Sequence, residues 1–216
     1  MRVALTIDTE FPDQSNCPAD ACDQILRALR RAHACATFFV QGRWALAYPH
    51  LAERIVADGH LLGNHSHFHF PATRLSADEL AADIREAEEA IEHVTGISPR
   101  PWYRLPFFNG QGELSVRSTI AELQYVAVGS NVDTGDWDPT TTPDQFCASL
   151  INGARSHEVA VAVLHSWPTT TARAMKNALA KLRRAGAEFV TVDQLSEHEL
   201  EQCDPLRPPT VNVKPT

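Results

Sequence analysis

Short apolar runs alternate with amphipathic stretches along most of the chain. Arg2 to Ile7 is too brief for a helix and has no cap, and it reads as a buried strand with Asp8 at its C-terminal end. From Ala19 to Arg31, Cys22, Ile25, Leu26 and Leu29 recur at helical spacing, and Ala36 to Val40 follow as a β-rich run with two phenylalanines. That is one β-α-β unit. Trp44 to Ala57 predicts a helix stopped by Gly59, and His60 to Gly63 a short strand leading into a histidine cluster. Ser76 and Glu79 form a capping-box pair ahead of the stripe Leu80, Ile84, Ala87, Ile91 and Val94, which runs up to Gly96. Thr142, Pro143 and Gln145 open another helix reaching about Ala154, and Val159 to Leu164 is a second aliphatic run. A helix from about Ala172 to Ala185, the Gly186 stop and a strand from Phe189 to Val192 complete the pattern. Buried strands alternating with helices imply an α/β fold, either a parallel sheet covered on both faces or a barrel. In such folds ligands bind in the loops at the C-terminal ends of the strands.

The last stretch has a different composition. Pro205, Pro208, Pro209 and Pro215 stand among polar residues without periodicity, so the chain divides into a domain over 1–196 and a Pro-rich tail over 197–216. At 216 residues, with 44% hydrophobic and 21% charged side chains, one globular domain is expected. Nineteen Lys and Arg against 27 Asp and Glu leave a net charge of −8, which repels phosphate backbones and anionic lipid. Nucleic acid is therefore not an expected partner. No apolar run approaches the roughly 18 residues of a membrane span, and the N-terminus turns acidic too early for a signal peptide. A cytoplasmic location is the expectation, although a secreted chain with its leader removed would carry the same sequence. The five cysteines are scattered and lack a C-x-x-C pair, so neither a disulfide framework nor a cysteine zinc site is indicated.

Candidate chemistry concentrates in Gly63-Asn64-His65-Ser66-His67-Phe68-His69. If this turn is helical, His65 and His69 share one face and can bind one cation, for which zinc suits neutral imidazole nitrogen. Read alone, the pair equally suits polar loop histidines. Asp8 and Glu10 supply carboxylates just beyond a buried strand, where acids also serve as caps or turn formers. His165 follows the aliphatic run Val159 to Leu164, a place suited to proton transfer near neutral pH or to a satisfied buried histidine.

Together these segments resemble the polysaccharide deacetylases of carbohydrate esterase family 4, the NodB-homology domain, over roughly Arg2 to Leu195. Thr6-Ile7-Asp8-Thr9-Glu10 stands for the family's T-F-D-D, and His65-Ser66-His67-Phe68-His69 meets H-[ST]-x-x-H. Arg104-Leu105-Pro106-Phe107 meets R-x-P-[YF], Asp133-Thr134-Gly135-Asp136-Trp137 meets D-x-x-D-W, and Val163-Leu164-His165 represents L-x-H. Thr9 replaces the second acid of the first motif, and Glu10 fits a D-x-E variant of it.

The resemblance implies a distorted (β/α) barrel of about seven parallel strands and a metal-dependent hydrolase removing an N-acetyl or related acyl group from an amino sugar or polysaccharide. It implies a divalent metal, zinc by its donor set, held by Glu10, His65 and His69, which supplies a strong water nucleophile and polarises the carbonyl. Asp8 would be the general base paired with Arg104. His165 would be the general acid, oriented by Asp133. The backbone N–H of Phe107 would stabilise the oxyanion, and Trp137, with Trp167 and Phe108, would line a sugar-binding groove or else pack the core. His60 and His67 are left as structural. Two other readings compete: a metal-independent or weakly metal-dependent small-amide hydrolase of the same fold, which Thr9 favours, and a non-catalytic carbohydrate-binding relative. The sequence carries no signal for an oligomeric state.

Overall fold

The computed structural model describes residues 1–10 and 20–204. Strand β1 (Arg2–Thr9) is central because alternation gives it two buried faces. Val3, Leu5 and Ile7 pack into the large core beneath the helices, whereas Ala4 turns to a separate cluster with Val161 and Val190. Thr6 and Asp8 share Ala4's face, which is the inside of the curled sheet.

Along the chain α1 (Ala21–Ala32), β2 (Thr37–Val40), α2 (Gly42–Ala47), α3 (Pro49–Ala57), β3 (Leu61–Asn64), α4 (Ala77–Thr95) and β4 (Trp102–Tyr103) follow β1. Next come α5 (Leu114–Glu122), β5 (Val126–Ala127), β6 (Val132–Asp133), α6 (Pro143–Arg155) and β7 (Val159–His165). The described chain closes with α7 (Thr169–Arg184), β8 (Glu188–Val190) and α8 (Glu197–Gln202). All strand pairs are parallel, in the order β5-β4-β3-β2-β1-β7-β6, and β8 adds to β1 below β2. The result is the distorted α/β barrel expected from the sequence, seven strands along one path plus a short eighth. No described helix is long and apolar enough to cross a membrane.

Three differences from the sequence reading have physical causes. The helix expected over Trp44 to Ala57 is two helices, because Tyr48, which precedes Pro49, adopts φ −129° and leaves the helical region. Strands β4, β5 and β6 have two residues each, too few to show any period. Residues 197–204, assigned to the tail, are folded: Ser196 and Glu199 form a reciprocal cap for α8, and Cys203 is buried beside Val161 and Leu195. The prolines of the expected tail lie outside the described residues.

Parallel register sets the site. Asp8 is paired with Phe39 on one side and His165 on the other, and Asn64 with Val40 and Tyr103, so the strand ends converge at one rim. Gly63 is required there by close approach, since a Cβ would lie 2.6 Å from the Phe39 ring and 3.2 Å from the Trp102 carbonyl. We expect Gly63→Ala to cost about 1–3 kcal/mol by overpacking, read as a lower urea midpoint with an unchanged slope.

Candidate active site

Alternation along Thr6-Ile7-Asp8-Thr9-Glu10 delivers three polar groups to one face, two residues apart. Thr9 faces the other way, its hydroxyl donating to the Phe39 carbonyl at 3.1 Å. Asp8 is buried and Arg104, fully buried, donates from Nη1 to Asp8 Oδ1 at 3.0 Å and to Thr6 Oγ1 at 2.6 Å. The guanidinium also donates to the Gly129 and Val128 carbonyls, at 3.0 and 3.3 Å, and lies over the rings of Phe39 and Phe108, 4.3 and 5.5 Å from their centroids. Burial pulls the Arg104 pKa below the usual guanidinium range, and the Asp8 carboxylate opposes that.

The two histidines meet without a helix. Ser66 and His69 both adopt the left-handed region, φ 64° and 61°, and fold residues 65–69 into a tight loop. Asn64 Oδ1 accepts from the Ser66 N–H at 2.8 Å, and Ser66 Oγ accepts from the His69 N–H at 2.9 Å. Asp83, buried on α4, accepts from the His67 and Phe68 N–H groups at 3.2 and 2.9 Å, and so anchors the loop between its two imidazoles. His65 Nδ1 donates to the Arg104 carbonyl at 2.9 Å, which leaves Nε2 as the lone-pair nitrogen.

Glu10 Oε1 lies 3.0 Å from His69 Nε2 and 3.5 Å from His65 Nε2, and the two nitrogens are 3.2 Å apart. A tetrahedral ion with bonds of about 2.0–2.1 Å separates its ligand atoms by about 3.4 Å, so these three atoms stand at the spacing one zinc ion needs. Burial alone would raise the Glu10 pKa, but the contacts with His65 and His69 outweigh it and hold the acid well below its ordinary value. Two imidazoles and an ionised carboxylate form a donor set that fits a divalent cation.

On the opposite side, His165 at the end of β7 has one partner that the sequence reading misassigned. Asp133 is exposed, and its Oδ1 accepts from the Gly135 N–H at 2.8 Å, closing a turn at the cavity edge. Asp136, fully buried, is the partner instead: Oδ1 accepts from His165 Nδ1 at 2.8 Å, and Oδ2 from the His165 N–H at 2.8 Å and the Thr171 hydroxyl at 2.5 Å. The motif holds two acids, and the one beside Trp137 is the one turned inward. Burial disfavours a charged His165, but the Asp136 carboxylate outweighs it, with smaller help from Glu10 and Asp8, and raises the pKa to about 10.

A cavity of about 720 Å³ joins these groups; Asp8, Glu10, His69 and His165 line it together with the aromatic residues Phe68, Phe107, Trp137 and Trp167. Trp137 and Phe107 are largely exposed, at 53% and 66%, with the Phe107 ring set edge-on against His69, centroids 4.5 Å apart. Phe107 and Phe108 are left-handed at φ 57° and 51°. Trp167 is buried instead and donates from Nε1 to Glu10 Oε2 at 2.8 Å. The sequence reading placed Trp167 among the groove or core aromatics without a link to Glu10, and Asp136 in its motif without a role, the second acid of D-x-x-D-W being the one visible signal for it. Asp83 escaped the sequence reading, and nothing in the sequence marks it. His60 and His67 are buried away from the cavity, His60 against the Phe38 ring with its pKa lowered to about 4 by burial.

The family model for polysaccharide deacetylases matches residues 1–128. The peptidoglycan-N-acetylglucosamine deacetylase PgdA of Listeria monocytogenes is 30% identical over 93% of this chain, which spans only 40% of that relative's length. A family 4 carbohydrate esterase from Streptomyces lividans, solved with acetate, superposes with TM-score 0.76 at 26% identity, covering 88% of this chain and 92% of the other. A carbohydrate esterase family 4 pseudoenzyme from Bacillus anthracis superposes with TM-score 0.79 at 26% identity, covering 89% of this chain and 64% of the other. With the motifs in order and the strand ends carrying them to one cavity, the chain belongs to the polysaccharide deacetylases, carbohydrate esterase family 4.

Proposed function

We propose that the chain hydrolyses the N-acetyl group of an amino sugar in a glycan polymer, peptidoglycan being the polymer named for its relative from Listeria. The observation that carries this reading is the convergence in one cavity of a three-ligand cation site, a carboxylate held by a buried arginine and an imidazole held by a buried carboxylate. Glu10 Oε1, His65 Nε2 and His69 Nε2 would hold the cation. When bound, a divalent ion such as zinc lowers the pKa of a water ligand and polarises the acetamide carbonyl.

The chain's own residues supply the remaining steps. Asp8 Oδ2 lies 3.8 Å from His65 Nε2, beside the cation site, and takes the proton of the attacking water. Arg104 holds the other Asp8 oxygen and prevents the carboxylate from swinging toward the imidazoles. The backbone N–H of Phe107 stabilises the developing oxyanion; a donor of this kind contributes on the order of 3 kcal/mol. His165, charged at neutral pH, gives its Nε2 proton to the leaving amine, while Asp136 fixes the ring through Nδ1 and stabilises the imidazolium. Phe107 and Trp137 offer ring faces to the sugar. A mere glycan binder has no use for a base, an acid and a partner for each, which favours a hydrolase over a non-catalytic binder.

The direct test is acetate release from acetylated glucosamine oligomers and from peptidoglycan. Asp8→Asn is expected to lose at least about 10²-fold in kcat while still binding zinc, and His65→Ala to lose both zinc and activity. Turnover untouched by both changes overturns the mechanism. Asp136→Asn addresses the acid. An opposite charge at contact distance moves a titration by about 1–3 pH units, so removing it lowers the His165 pKa. The alkaline limb of the rate profile, where the acid loses its proton, moves down by that amount, and kcat falls more at pH 8 than at pH 6.

A further inference from the structure

Thr9 follows Asp8 directly, and the acid that meets the two imidazoles is Glu10, one residue further on and with a longer arm than an aspartate. A glutamate has one more rotatable bond than an aspartate, so its carboxylate needs another constraint to present a single oxygen to a cation. The Trp167 indole is positioned to provide it. Its N–H meets Glu10 Oε2 at 2.8 Å, whereas Oε1 faces the two imidazoles at 3.0 and 3.5 Å. The ring is only 6% exposed, it follows β7 by two residues, and it packs against His165 with centroids 5.7 Å apart. An indole N–H is a donor without an acceptor. It can therefore occupy one carboxylate oxygen permanently without competing for the ion.

We propose that Trp167 is a positioning residue for the metal site, holding Glu10 so that Oε1 alone is offered to the cation and the D-x-E arrangement replaces an acid at position 9. This rests on the cation-site reading above. Partners that orient metal ligands typically change affinity by about 10–100-fold when removed. Trp167 also lines the cavity, so loss of turnover alone would not distinguish ligand positioning from substrate contact. Metal affinity does.

The experiment measures zinc affinity of the metal-stripped protein by competition with a chromogenic chelator, with no substrate present. Trp167→Phe keeps the ring and deletes the N–H. Its zinc Kd is expected to rise by about 10–100-fold, with the thermal midpoint of the metal-free protein close to that of the wild type. In a Glu10→Ala background the same change is expected to leave the zinc Kd unaltered, because the coupling runs through Glu10. An unchanged Kd for Trp167→Phe, or an equal loss of affinity with and without Glu10, overturns the proposal and leaves Trp167 a packing residue. The His65→Ala variant separates the two readings. If the wild type binds zinc and His65→Ala does not, the site stands and Trp167→Phe decides this inference alone; if the wild type binds none, both fall.

Discussion

The arginine buried beneath the cavity is the constraint on which the rest of the site depends. A guanidinium removed from water costs several kcal/mol unless its donors are met and its charge balanced. Arg104 meets that condition with Asp8, Thr6 and two carbonyls, and with the rings of Phe39 and Phe108 at 4.3 and 5.5 Å. Its own carbonyl accepts from His65 Nδ1. One residue therefore fixes the Asp8 carboxylate through its side chain and the His65 imidazole through its main chain. The strand ends cannot shift against one another without leaving a buried charge unpaired, so the same interaction that organises the chemistry also pins β1 to β4.

Strain is concentrated in the same place. Six described residues other than glycine have positive φ, and four of them, Ser66, His69, Phe107 and Phe108, flank the cavity. Left-handed backbone costs such residues about 1–2 kcal/mol each. The remaining two, His33 and Gln124, adjoin helix ends, where a single left-handed residue closes the last turn. Around the site the compensation is polar: Asp83 and the side chains of Asn64 and Ser66 bind the loop's N–H groups.

Much of this was legible in the chain because it rests on local periodicities. Apolar runs marked β1, β2 and β7, caps and a stripe marked α4 and α6, and the end of the first apolar run placed the carboxylates of Asp8 and Glu10 at a strand end. The two-residue strands were illegible because their pairing partners, not their own side chains, define them. Asp83 was illegible for a related reason: on α4 it occupies one more polar position, and its task appears only when the histidine loop is folded above it. The confusion of Asp133 with Asp136 has another origin. Both stand in one motif, and only the burial of Asp136 against Thr171 and the end of β7 tells the residue that orients an imidazole from the one that closes a turn.

The departure at Thr9 is best understood through β1 itself. Thr9 is still in register with Val40, and its carbonyl accepts from the Gln41 N–H at 3.1 Å, so the strand keeps its alternation to its last residue. A side chain at position 9 then belongs to the outer face, and position 10 is the next to return to the site. Glutamate spans the extra distance, at the cost of a freer carboxylate. The position of the acid in the motif, the length of its arm and the indole that restrains it are therefore one solution to a single geometric problem. The alternation of the strand itself makes position 10, not position 9, the one whose carboxylate meets the two imidazoles.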